Sequence, residues 1–188
     1  MTVACEDRYG CAVSTELSVI AVTVLGDDRP GIVAEVTAAL ADLGGNLEDS
    51  TMTLLRGHFA MVVLVRTGAS QAEVEAALQS VAAGGSLTVD VRVLADSGRR
   101  PDPGAAWTLR VHGADRPGIV AAVTRVVSAH GGNIVDLGTR LGADLYVLIA
   151  QVELPAAADT AALVSDLRAA AEALKVTIAF EPVDDEVL

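Results

Sequence analysis

The chain has 188 residues, 52% apolar but only 3% aromatic, so it can bury a sizeable core built from Val, Ala, Leu and Ile rather than from stacked rings. That composition excludes disorder as the main state. Lys and Arg total 13 against 25 Asp and Glu, a formal charge of −12, which repels a phosphate backbone and an acidic membrane surface, so neither direct nucleic-acid binding nor membrane attachment is expected.

Residues 1–16 read as an N-terminal tail in which Glu6, Asp7 and Arg8 stand where a secretion signal needs its apolar stretch. With no apolar run long enough to span a bilayer, a cytoplasmic location is expected. Cys5 and Cys11 both fall in this tail without a neighbouring histidine, and they read as unpaired thiols rather than a disulfide scaffold or a metal site.

A first unit is expected over residues 17–95. It opens with a half-buried strand in which Ile20, Val22 and Val24 alternate with smaller or polar residues. A helix follows, because Ile32, Val33, Val36, Leu40 and Leu43 fall on one face, and Gly44-Gly45 supplies a left-handed stop. Leu47 to Leu55 and Phe59 to Val65 then read as a hairpin joined across Arg56-Gly57-His58. Ser70-Gln71-Ala72-Glu73 is a capping box that opens a second helix with Val74, Leu78 and Val81 inward. Leu87, Val89, Val91 and Val93 alternate with Thr88, Asp90 and Arg92 as a closing strand. The third strand is apolar on both faces, although only one can meet the helices, so its other face is expected to be buried against another copy of the fold.

Residues 96–104 are polar, with two prolines and two glycines, and read as a linker. Beyond it the first unit recurs. Asp28-Arg29-Pro30-Gly31-Ile32-Val33-Ala34 returns letter for letter as Asp115-Arg116-Pro117-Gly118-Ile119-Val120-Ala121, and Gly44-Gly45-Asn46 as Gly131-Gly132-Asn133, both 87 positions later. The second unit is expected over residues 105–182, with 183–188 as a C-terminal tail. Trp107, Leu109 and Val111 repeat the first strand, and Gly142-Ala143-Asp144 joins the second hairpin. Val176, Ile178 and Phe180 read as a closing strand at the same offset, whereas Leu163 and Leu167 take a different helical phase from Leu78 and Val81. Each unit is thus βαββαβ, an α+β ferredoxin-like arrangement of four antiparallel strands with both helices on one face.

A βαββαβ unit with D-R-P-G-I-V after its first strand and G-G-N before its second resembles the ACT domain, a regulatory module that commonly binds amino acids. Two such units with nothing else attached resemble the glycine cleavage system transcriptional repressor family. Tandem ACT units also occur in uridylyltransferase and phosphoserine phosphatase chains, whose separate catalytic domain has no counterpart here. The resemblance implies a small amino acid such as glycine bound at an ACT interface, and a protein partner that is a transcription regulator. A homodimer is also within this expectation.

The residues themselves leave some roles open. The turn into the first helix presents free N–H groups to an anion such as a carboxylate, Gly31 and Gly118 allow close approach, and Pro30 and Pro117 suit the first helical turn. Asp28 and Asp115 either meet a ligand ammonium or, the preferred reading, cap the helix. Arg29 and Arg116 read as solvated or ion-paired. Asn46 and Asn133 can address either end of an amino acid or simply tolerate a left-handed turn, while Asp49 and Asp136 read as outward strand positions. Ile32 and Ile119 complete the candidate ligand-binding turns. His130 replaces Leu43, where a histidine suits the helix C-terminus better than it suits a metal. No catalytic constellation, metal site or cofactor motif is expected. The alternative function is a ligand-free assembly or allosteric subunit that acts through protein contacts and exposed sheet edges.

Overall fold

Alternating strands and amphipathic helices assemble twice into the same unit in the computed structural model, which describes residues 17–95, 104–142 and 145–183. The expected tails with Cys5 and Cys11, the linker at 96–103 and the middle of the second hairpin connection lie outside the described residues. The first unit runs β1 (Ser18–Asp27), α1 (Ile32–Asp42), β2 (Asn46–Leu55), β3 (His58–Thr67), α2 (Gln71–Ala82) and β4 (Leu87–Leu94). The second runs β5 (Ala105–Gly113), α3 (Ile119–Ala129), β6 (Asn133–Leu141), β7 (Tyr146–Leu154), α4 (Thr160–Leu174) and β8 (Val176–Pro182). Each forms a four-stranded antiparallel sheet, ordered β2-β3-β1-β4 and β6-β7-β5-β8.

Each unit closes its own core. In the first, Ile20, Val22 and Val24 of β1 and Phe59, Val63 and Val65 of β3 meet Val36 and Leu40 of α1 and Val74 and Leu78 of α2. In the second, Leu109 and Val111 meet Val123 and Val127 of α3 and Leu163 and Leu167 of α4. Trp107 and Phe180 stack there, with centroids 4.8 Å apart and planes at 6°.

The helix ends follow the glycine pairs. Gly44 takes φ 66° and donates to Ala41 O at 2.9 Å, while Gly45 donates to Leu40 O at 3.0 Å. Gly131 and Gly132 repeat these bonds to Ser128 O and Val127 O, so both first helices close with the paired bonds of a Schellman motif. The β2–β3 connection is shorter than expected. His58 already belongs to β3, and the two-residue loop has positive φ at both Arg56 and Gly57, the type I′ pattern that matches strand twist.

The closing strand corrects the sequence register. Gly26 pairs with Leu87 and Gly113 with Val176, so β8 repeats β4 at an offset of 89, not 87. Leu163 and Leu167 likewise follow Val74 and Leu78 by 89, which removes the apparent change of helical phase. The cause is the connection between the third strand and the second helix, which spans residues 68–70 in the first unit and 155–159 in the second. An extra two residues leave strand alternation unchanged, so the pattern of apolar positions looks the same at either offset.

The capping box at α2 forms as expected. Ser70 Oγ accepts from Glu73 N–H, and the Glu73 carboxylate accepts from Ser70 N–H at 2.8 Å and its hydroxyl at 2.7 Å. The Ser70 backbone bond, followed by its hydroxyl, holds the Glu73 carboxyl below its ordinary value of 4.5. A carboxyl depressed in the folded state stabilises above its unfolded value and loses that contribution as pH falls through its folded one. Replacing Ser70 with alanine is expected to cost about 1 kcal/mol. Urea unfolding from pH 7 to pH 3 should show wild type losing more stability in the acid range than Glu73→Gln; equal acid slopes contradict this.

Candidate functional site

The turns from β1 into α1 and from β5 into α3 are shaped by glycine. Gly31 and Gly118 take φ 95° and 92° immediately before their helices, a left-handed conformation that penalises any residue with a Cβ. Neither helix start has a side-chain cap. Asp28 and Asp115 therefore do not cap: they stand three residues ahead of the glycines, exposed to solvent. Pro30 and Pro117 also lie before the helix instead of in its first turn.

The first bonds within the helices run from Glu35 N–H to Gly31 O and from Ala122 N–H to Gly118 O, each 2.9 Å. The N–H groups of Ile32, Val33 and Ala34, and of Ile119, Val120 and Ala121, precede those bonds and face out of the helix N-terminus. The helix dipole makes that end attractive to an anion. The Ile32 and Ile119 side chains are buried, so these residues fasten the turn to the core and offer only their backbone. Asp28 N–H donates to Gly57 O at 3.2 Å, which seats the first turn on the β2–β3 loop.

The two turns differ in charge. Arg29 makes a two-pronged pair with Glu35, both contacts 2.6 Å. This bond raises the Arg29 pKa and holds the Glu35 carboxyl below its ordinary range. At the position of Glu35 the second unit has Ala122. Arg116 is exposed and has no ion-pair partner among the described residues. The ion-paired expectation holds for Arg29 and the solvated one for Arg116.

Asn46 and Asn133 are not turn residues. Each begins an exposed edge strand and lies opposite Arg66 and Glu153 respectively, without the positive φ that a left-handed turn requires. Two positions later the strand bulges, at Glu48 in β2 and Val135 in β6. Glu48 pairs with Arg66. The bulge turns Asp49 to the helix-free face opposite Leu64, an outward position as expected. Within a unit the asparagine and the glycine turn sit at opposite ends of the first helix, whose 11 residues span about 16 Å. A small amino acid cannot touch both within one unit.

His130 pairs with Asp166 of α4 at 2.8 Å, where the sequence placed it against helix carbonyls. His58 approaches Asp27 at 3.4 Å with both side chains largely exposed. Among the described residues no three His, Cys, Asp or Glu side chains converge as a metal site. No described helix is long and apolar enough to cross a membrane.

The ACT domain profile matches residues 18–92 and 108–181. The glycine cleavage system transcriptional repressor of Escherichia coli (strain K12) is 31% identical over 151 residues, 76% of this chain and 78% of that protein. The chain is a tandem ACT-domain protein of the glycine cleavage system transcriptional repressor family. A crystal structure of an unknown protein from Galdieria sulphuraria superposes on this ACT protein with a TM-score of 0.77 at 32% identity, covering 90% of this chain and all of that one. The structure of a putative glycine cleavage system transcriptional repressor has the same fold, with a TM-score of 0.66 at 17% identity over 90% of this chain and 99% of its own.

Proposed function

We propose that this ACT protein is a non-catalytic regulator that senses a small amino acid, glycine first among them, and conveys its presence to a protein partner that controls transcription. The observation that carries the reading is the uncapped helix start behind a left-handed glycine, built twice by the same seven residues. Such a start takes a carboxylate on backbone N–H groups, without a side chain having to be reorganised. The ACT profile and the repressor relative support a regulatory role. Regulation requires only that ligand favour one state of the protein over another by a few kcal/mol.

The charge difference between the turns ranks them. Glu35 neutralises Arg29 and opposes a second carboxylate, whereas Arg116 leaves the α3 turn open to one. One small ligand reaches both a glycine turn and an asparagine only when the asparagine comes from a different ACT unit. Arg116→Ala is expected to weaken amino-acid binding about tenfold or more, the loss of one charge-assisted hydrogen bond. Arg29→Ala should change it by less than about threefold. Equal effects of the two variants in calorimetric titration contradict the ranking, and no effect of either removes the arginines from the site.

A further inference from the structure

The helix-free face of the first sheet is a self-complementary surface, and we infer that it pairs with the same face of a second copy of the chain. On this face Val62 and Leu25 are 39% and 54% exposed, beside the smaller Thr23, Ala21 and Ala60. Over the three rows from Leu64 to Ala60 the two central strands carry no charge. Charges stand at the rims, Asp49 on β2 and Asp90 and Arg92 on β4, and beyond the ends of those rows, where β3 has Arg66, paired with Glu48, and β1 has Asp27 beside His58.

Strand register makes the match specific. Asp49, Leu64, Ala21 and Arg92 form one row across the sheet. Val62 and Thr23 share the next row, Ala60 and Leu25 the third. A two-fold axis along the strands, between β3 and β1, lays β3 of one copy over β1 of the other when the sheets stack about 10 Å apart. Leu64 then faces the second copy's Ala21, Leu25 faces its Ala60, and Val62 faces the similarly shaped Thr23. At both rims Asp49 meets Arg92. The Arg92 Nε is bonded to Asp90 at 2.9 Å, which leaves its terminal nitrogens for that contact. An axis across the strands would instead set Asp90 against its own copy.

The second sheet lacks this property. Its equivalent row runs Asp136, Gln151, Thr108 and Glu181, so the same operation opposes two acids at each rim, and Arg110 and His112 stand on its central strand. The occupant is therefore a second copy's first unit. A patch about 20 Å on a side is small for a specific interface, so the dimer is a reversible one.

Sedimentation of the intact chain across a concentration series tests this. The mass should rise from 19.2 kDa toward twice that value. Asp49→Arg and Arg92→Asp should each weaken pairing about tenfold, and the double exchange should restore it to within about threefold. Val62→Glu should abolish pairing, with Leu25→Lys as a second disruptor and circular dichroism to establish that each variant folds. Ile149→Glu, on the second sheet, should leave pairing unchanged. A mass fixed at the monomer value overturns the inference. So does a dimer that survives both disruptors, or a double exchange that fails to restore what the single ones weaken.

Discussion

Gly26→Ala is expected to abolish the folding of the first unit. A Cβ at this position would lie 1.9 Å from Ser86 O and 2.9 Å from Leu87 Cα, both backbone atoms that no rotamer change can move aside. The same carbonyl accepts from Asp27 N–H at 3.0 Å, so retreat would break the contact that closes β4 onto β1 just before the candidate turn. Collisions with backbone inside a sheet belong to the large-effect class of substitutions, and a loss of more than about 4 kcal/mol follows. Calorimetry should show the thermal transition of the first unit missing and that of the second retained. Gly113→Ala, whose nearest obstacle is the Val176 Cγ1 at 2.9 Å, should be milder because a side chain can shift. A wild-type melting profile for Gly26→Ala would contradict the β1–β4 register.

Phe59→Ala is the second large effect. Phe59 is 1% exposed at the start of β3 and is the only aromatic residue among the described residues of the first unit. Its neighbours are aliphatic side chains held by the sheet and both helices, so little can swing inward to fill the space. A cost of about 3–5 kcal/mol is expected from lost burial and the residual cavity. Tyr146, its counterpart on β7, is only half-buried, so Tyr146→Ala should cost distinctly less. Chemical denaturation of the two variants measures the difference, and equal losses would contradict the two cores as described.

The repeat made most of the fold legible, because a duplicated D-R-P-G-I-V and G-G-N fix the first strand, first helix and hairpin together. Where the copies diverge, legibility fell. The two added residues before α4 preserve strand alternation, so the closing strand can be aligned at 87 or 89 with equal apolar fit, and only the Gly113–Val176 pairing decides. The phase of Leu163 and Leu167 carries the clue: a helix out of phase with its counterpart means an insertion ahead of it.

The candidate site was less legible than the fold. Aspartate is a strong helix cap by preference, but the left-handed Gly31 holds the start of α1 three residues past Asp28. The pairing of Arg29 with Glu35 spans six positions and arises from the turn, outside the three- and four-residue spacing that helical periodicity reveals. The separation of Asn46 from Gly31 was available in advance, since an intervening helix of this length carries its own distance.

Whether the helix starts of this ACT protein receive an amino-acid carboxylate, as proposed, is open to direct measurement. Calorimetric titration of the intact chain with glycine and the other small amino acids, up to millimolar ligand, tests it most directly. A saturable heat is expected for a restricted set of amino acids, reduced in Arg116→Ala. Flat titrations with every amino acid would contradict it and leave assembly through protein contacts as the function of the two ACT units.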